Sequence, residues 1–151
     1  CLLSGKNFYI YGDGKQKRAF TYIDDFTPYM VKAGFSKVAR GKTINIGPSQ
    51  EYSINEMAKL VIMNFFRNGK IPENLKPKYL PERPQEVKEA YCTNNVAQKL
   101  LGYKTTVTLD EGIKRMIEWA KRIGPQPFHY LQDGMEIETD DVPITWKNKL
   151  I

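Results

Sequence analysis

Phe8-Tyr9-Ile10-Tyr11-Gly12-Asp13-Gly14-Lys15-Gln16-Lys17-Arg18-Ala19-Phe20-Thr21-Tyr22-Ile23-Asp24-Asp25 carries the reading of the fold. Its first four residues are aromatic or β-branched, and two glycines bracket Asp13 directly after them. That pattern predicts a strand running into a tight turn. A second extended run is expected from Ala19 to Ile23. Asp24 and Asp25 then offer an N-cap for a helix in which Pro28 is tolerated in the first turn. Phe26, Met30, Ala33 and Phe35 follow at roughly helical spacing, and Gly41 closes the unit.

The same grammar continues downstream. Thr43-Ile44-Asn45-Ile46-Gly47 reads as another short strand. Ser53 followed by Glu56 is a capping box, with Tyr52 and Met57 placed to form a hydrophobic staple. The helix they start should stop at Asn68-Gly69. Pro72, Pro77, Pro81 and Pro84 keep the next stretch extended or looped, with Lys78-Tyr79-Leu80 a strand candidate. Thr93 is expected to cap a short helix from Asn94 to Leu101, ended by Gly102. Thr108 and Glu111 make a second capping box, and the helix behind it shows Leu109, Ile113, Met116, Ile117 and Ala120 as a core-facing stripe. Gly124-Pro125 ends it. Beyond Gln126 there is no clear period, and Asp133, Glu136, Glu138, Asp140 and Asp141 make the segment acidic. The expected organisation is one unit over 1–124 and a docked acidic tail over 125–151. Short strands alternating with capped helices indicate an α/β domain. It is α+β-like, because the strands are too few for a complete doubly wound sheet.

Composition sets the outer bounds. The chain has 151 residues, 41% of them hydrophobic and 26% charged, an ordinary globular balance for one domain. No apolar run approaches the ~20 residues that a membrane helix needs. The formal net charge of +6 favours an anionic partner. The cations are scattered rather than interleaved with aromatics, so nucleic-acid binding has no support. Cys1 and Cys92 form no disulfide framework and no zinc spacing, so no metal site is expected, and they fit a reducing, cytoplasmic compartment. The opening from Cys1 to Lys6 reads like the end of a helix, which predicts a part of a longer protein.

Two constellations could carry chemistry. Gly12 to Arg18 sets three cations within four positions behind two glycines, which suits a phosphate or, equally, a charged hairpin turn. It is not a dinucleotide fingerprint, because the third glycine is absent and a strand follows. Tyr11 and Lys15 match a Tyr-x-x-x-Lys spacing, but the glycines between them exclude a helix and make the match chance. Pro81-Glu82-Arg83-Pro84-Gln85-Glu86-Val87 holds an arginine between two prolines. Its fork can engage phosphate or carboxylate on a stiff backbone, or form a surface ion pair. Glu86 is placed to accept from sugar hydroxyls. His129, the single histidine, sits in an aromatic cluster and reads as structural, so no Ser/His/Asp arrangement is available. Trp119 and Trp146 read as packing residues.

Four segments, in order, resemble one family. Tyr11 through Asp25 is similar to a strand, glycine turn and Arg-x-Phe-x-Tyr-x-x-Asp run. Asn45-Ile46-Gly47 with Ser53 to Glu56 is similar to an Asn-x-Gly strand end and its capped helix. Pro81 to Val87 resembles a Pro-x-Arg-Pro-Gly-Asp/Glu-Val loop, and Leu100 to Trp119 the closing helices. Together they resemble the C-terminal, substrate-binding portion of the NAD-dependent nucleotide-sugar epimerases and dehydratases, the extended short-chain dehydrogenase/reductases with a Rossmann-type fold. The resemblance covers 1 to about 124. It implies that Tyr9 and Tyr11 hold the base of a nucleotide sugar, with a UDP-sugar the expected one, that Arg18 and Arg83 clamp the diphosphate, that Glu86 accepts from the ribose, and that Ala90 lies near the sugar pocket. The family's glycine-rich loop, Ser/Thr and catalytic Tyr-x-x-x-Lys belong to its N-terminal half. No catalytic or cofactor-binding residue is therefore expected in this chain. NAD and the N-terminal half belong to the intact enzyme. Ala19, Gln85 and Thr93 depart from the family pattern, and Ala19 resembles the decarboxylase branch. Alternatives of another kind are a free-standing or truncated non-catalytic nucleotide-sugar-binding module, and a decarboxylase or dehydratase fragment.

Overall fold

A computed structural model describes residues 1–66, 70–127 and 142–148. The aromatic run forms β1 (Tyr9–Tyr11), which lies parallel to β4 (Lys78–Leu80) with Tyr9 opposite Lys78 and Tyr11 opposite Leu80. Alternation along a strand sends Ile10 into the core while Tyr9 and Tyr11 share the other, half-buried face. The turn after β1 does not fold back as a hairpin. It crosses to a second sheet, in which β2 (Lys17–Arg18) is central, with β3 (Tyr52–Ser53) antiparallel on one side and β5 (Glu89–Ala90) parallel on the other.

The crossing is pinned from outside. Gly14 has φ +71°, and a Cβ there would stand 2.1 Å from the Asn55 side-chain oxygen. Asn55 donates from its backbone N–H to the Gly14 carbonyl (3.0 Å) and from Nδ2 to the Asp13 carbonyl (2.8 Å). Glycine is therefore required at 14 both by handedness and by the closeness of the next helix.

Two expected strands move or lose their ladder. The extended run expected at Ala19–Ile23 yields to β2 two residues earlier, where β3 and β5 supply partners, and Ile23–Asp25 turns as a 3-10 segment. At Thr43–Gly47, Ile44 and Ile46 are half-buried and Thr43 and Asn45 exposed, so the side-chain alternation is present. No described strand lies beside it, so no ladder forms.

The helices follow their local signals except where a distant partner intervenes. α1 (Thr27–Phe35) has Phe26 at its N-cap, not the aspartates. Asp25 is instead buried, and its carboxylate accepts from Thr106 N–H, Thr106 Oγ1 and Val107 N–H. α2 (Ile54–Phe65) closes the expected capping box: Glu56 N–H donates to Ser53 Oγ (3.1 Å) and Ser53 N–H to Glu56 Oε2 (2.7 Å). It ends at Phe65, and the stop expected at Asn68-Gly69 lies outside the described residues. α3 (Asn95–Leu101) starts one residue later than expected, with Asn94 rather than Thr93 at the N-cap position. The Asn94 side chain is spent on the Gly47 carbonyl (2.9 Å) and on Gln98. Gly102 ends α3 in the left-handed conformation, φ 69°.

α4 (Leu109–Ile123) has half of its capping box. Thr108 Oγ1 accepts from Glu111 N–H (3.3 Å), while the Glu111 carboxylate turns to Arg115 (2.8 Å). α4 packs on α2, tied by Asn64 Nδ2 to Asp110 (2.8 Å) and by Lys121 to the Phe65 carbonyl (2.8 Å). Ile113 is buried and Leu109, Ile117 and Ala120 are half-buried, but Met116 stands exposed, and so does Trp119 at 56%. The expectation that both pack into the core is corrected, because neighbouring elements leave more than half of each residue uncovered. The described core is small, comprising Ile10, Ala39, Leu75, Ala97, Leu101, Tyr103 and Ile113. α1 buries none of its residues, and Phe35 at its end is 87% exposed, with Met30 and Val31 exposed nearby.

α5 (Ile144–Lys147) is the last described element. His129, the acidic residues from Asp133 to Asp141 and the packing expected of the Trp146 side chain lie outside the described residues. No described helix is long and apolar enough to cross a membrane.

Candidate functional site

The proline loop builds the centre of the site. Glu86 N–H donates to the Arg83 carbonyl (3.3 Å), Pro84 occupies the second position of that turn and Gln85 the third, with φ +55°. Proline followed by a positive φ is the pattern of a type II turn. The turn folds the Glu86 carboxylate back on its own Arg83, whose Nε lies 2.6 Å and Nη2 2.5 Å from Oε2. The other carboxylate oxygen, Oε1, accepts from Arg18 Nη2 at 2.5 Å. Arg18 arrives from β2, and its Nη1 also donates to the Lys17 carbonyl (2.7 Å). The sheet sets this meeting, since β2 and β5 run parallel immediately after the loop.

The Glu86 side chain is only 5% exposed, against 25% for Arg18 and 41% for Arg83. Two guanidinium forks from separate elements thus meet on one sequestered carboxylate, and the trio keeps a net positive charge. Each fork retains N–H donors beyond those used on Glu86. The Arg83 guanidinium also rests 5.1 Å over the centroid of the Tyr11 ring. Tyr11 in turn holds α5: its hydroxyl accepts from Thr145 N–H (2.9 Å) and pairs with Thr145 Oγ1 (2.6 Å).

The glycine turn contributes less than its charge suggests. Lys15 pairs with Asp13 (3.2 Å), and the Asp13 carboxyl is held below its usual range first by the Lys15 backbone N–H. Lys17 pairs with Glu51 (2.6 Å), which pushes its ammonium up. Arg18 alone of the three turns to the proline loop. The three cations diverge to three partners, and the turn forms a crossing between sheets.

Of the residues singled out in the sequence, Tyr11, Arg18, Arg83 and Glu86 are brought together. Ala90 lies opposite Arg18 across the β2/β5 register, and Tyr9 shares the Tyr11 face of β1. The hydrogen bonds and ring contacts of the cluster do not take in either. Thr145 was invisible to sequence reasoning, because nothing local links it to a tyrosine 134 positions away. An apolar groove of about 460 Å³, lined by Ile10, Ala58, Ile62, Met63, Pro77 and Tyr79 among others, lies apart from the arginines.

A family model, GDP-mannose 4,6 dehydratase, matches residues 2–116, which include Tyr11, Arg18, Arg83 and Glu86 but not α5. The chain is 31% identical over 121 residues to the UDP-N-acetyl-alpha-D-glucosaminuronate decarboxylase of Bacillus cytotoxicus, covering 80% of this chain and 37% of that protein. It is 28% identical over 118 residues to the UDP-glucose 4-epimerase of Mycolicibacterium smegmatis, covering 78% of this chain and 36% of that protein. Among solved structures, it is similar to a UDP-glucuronic acid 4-epimerase from Bacillus cereus in complex with UDP-glucuronic acid and NAD. The TM-score is 0.70 at 32% identity, covering 81% of this chain and 37% of that one. The chain thus spans little more than a third of the length of these relatives.

Proposed function

The chain belongs to the GDP-mannose 4,6 dehydratase family, the NAD-dependent nucleotide-sugar epimerases and dehydratases, and from that premise we propose that it anchors a nucleotide diphosphate sugar for an epimerase. The observation that carries this reading is the convergence of Arg18 and Arg83 on one carboxylate. Guanidinium forks match oxyanions in planar pairs of hydrogen bonds, and two of them at one point suit a diphosphate. Glu86 Oε1 keeps one lone pair beyond the three arginine contacts of the carboxylate, which can accept from a ribose hydroxyl. Tyr9 and Tyr11 on the β1 face would flank the base of a UDP-sugar, and Ala90 would border the sugar.

Binding energy taken at the diphosphate is remote from the reacting sugar carbon, so its role is to hold that carbon in place. In the intact enzyme NAD would supply the hydride chemistry. The residues of this chain bind and orient the nucleotide end. The exposed apolar side of α1, with Met30, Val31 and Phe35, is the face on which we place a dinucleotide-binding half. Ala19 and the identity to a decarboxylase favour a nucleotide-sugar decarboxylase as the second reading.

Calorimetry with UDP tests the anchor. The expected result is micromolar binding that weakens at least tenfold in Arg18→Ala and in Arg83→Ala. Absence of binding at millimolar UDP, or binding indifferent to both substitutions, refutes it. Feeding the intact enzyme a UDP-uronic acid separates the branches, since a decarboxylase releases carbon dioxide and an epimerase does not.

A further inference from the structure

We propose that Thr145 is a positioning residue: by holding the Tyr11 hydroxyl it fixes the ring on which Arg83 lies, so that α5 aims one of the two arginines. This rests on the reading of Arg83 as a diphosphate ligand, but the geometry stands on its own contacts. The first N–H groups of a helix have no partner within it. The Tyr11 oxygen takes that of Thr145 at 2.9 Å, and the same oxygen lies 2.6 Å from Thr145 Oγ1. Thr145 is buried, at 6% exposure, so the link is sheltered from water. With its oxygen accepting from the Thr145 N–H and its hydroxyl sharing a second bond with Oγ1, in which either group can donate, the phenol is committed to α5.

That commitment sets the ring. The hydroxyl oxygen lies on the axis of the tyrosine's second side-chain torsion, so the tie fixes where the ring stands, while the guanidinium on its face restrains rotation about that axis. Here the hydroxyl end is tied, and the Arg83 guanidinium sits 5.1 Å above the ring centre while Glu86 holds its Nε and one terminal nitrogen. An edge held by a carboxylate and a face held by a ring leave the fork a single orientation. The remaining N–H donors then point in one direction. Thr145 lies beyond residues 2–116 that match the family model, so this aim is set by the chain's own C-terminal segment.

The test uses the full chain with Thr145→Val, Thr145→Ser and Tyr11→Phe. Water exchange of the Arg83 Nε–H, followed by nitrogen-15 NMR without ligand, should quicken at least threefold in Thr145→Val and Tyr11→Phe. It should stay within twofold of the wild type in Thr145→Ser, which keeps the hydroxyl. The Arg115 Nε–H, bonded to Glu111 on α4, should not change. UDP affinity should fall about fivefold in Thr145→Val, and less than twofold when the same change is made in Arg83→Ala. Arg83 exchange within twofold of the wild type in Thr145→Val overturns the proposal, as does equal acceleration at Arg115. If the wild type fails to bind UDP while Arg83 exchange responds as stated, the positioning role stands and the nucleotide reading falls.

Discussion

Gln85→Gly should stabilise the chain, although it removes a side chain and loosens the backbone. Gln85 has φ +55°, in the left-handed region, and forms the third position of the turn that folds Glu86 onto Arg83. An L-residue held there costs about 1–2 kcal/mol, because its Cβ crowds the following carbonyl oxygen. Glycine removes that strain but adds about 0.5–1 kcal/mol of unfolded-chain entropy. The balance is a gain of about 0.5–1 kcal/mol. The Gln85 side chain is exposed and makes no hydrogen bond among the described residues, so nothing else is set against the gain. Urea denaturation measures this directly. With a slope of about 2 kcal/mol per molar, the midpoint should rise by roughly 0.3–0.5 M. Gln85→Asn should fall between, since asparagine tolerates the left-handed region, and Gln85→Ala should leave the midpoint near the wild type. UDP affinity should change less than twofold in all three, because the position of Glu86 is kept. A fall in midpoint for Gln85→Gly, or a rise of the same size for Gln85→Ala, refutes the strain argument.

Other outcomes follow from the same geometry. Gly14→Ala should cost about 3 kcal/mol, from left-handed strain plus the displaced Asn55 side chain, which donates to the Asp13 carbonyl and accepts from the Tyr79 hydroxyl; Gly5→Ala, with φ +66° but open space, should cost about 1–2, and similar losses in chemical denaturation would sink the Asn55 argument. Burial alone would raise the Asp25 carboxyl, but the hydrogen bonds from Thr106 and Val107 prevail and hold it below its ordinary 3.8. Its contribution is therefore present above pH 3.8 and lost as the pH falls through the lowered folded value. Asp25→Asn should cost about 2 kcal/mol at neutral pH, and that deficit should shrink below pH 3.8 in acid unfolding curves. Phe35→Ser should change stability by less than about 0.5 kcal/mol while lowering the binding of an apolar-surface dye. Unchanged dye binding would show that the α1 face is not the exposed patch.

The elements legible in the sequence are those whose partners lie within a few residues. Ser53 and Glu56 close a capping box three positions apart, and Gly102 ends α3 because its own backbone must turn left-handed. β1 shows in its aromatic and β-branched run before Gly12, and β4 in the Tyr79-Leu80 pair between Pro77 and Pro81. Arg18, Arg83 and Glu86 could be nominated for the same reason, because a fork beside glycines or between prolines is a local fact. Resemblance supplied the pairing of the two arginines, and parallel pairing of β2 with β5 brings them together in space.

What the sequence could not decide depends on partners far along the chain. Asp25 looks like a helix cap from its neighbours, yet Thr106 and Val107 claim its carboxylate from more than 80 positions away. Asn94 gives its side chain to Gly47, and Tyr11 gives its hydroxyl to Thr145, with no local trace of either. Thr43–Gly47 keeps its strand alternation without a ladder, because alternation belongs to the segment and hydrogen bonding to its neighbour. Met116 belongs to an apolar helical stripe and Trp119 reads as packing, yet both stand exposed, because which part of a face is covered is set by the neighbouring elements. Sequence by itself determined the elements and the chemistry each carries, since both arise within a few residues. Tertiary structure alone decided which side chains meet, since a hydrogen bond across 134 residues leaves no periodic mark on either end.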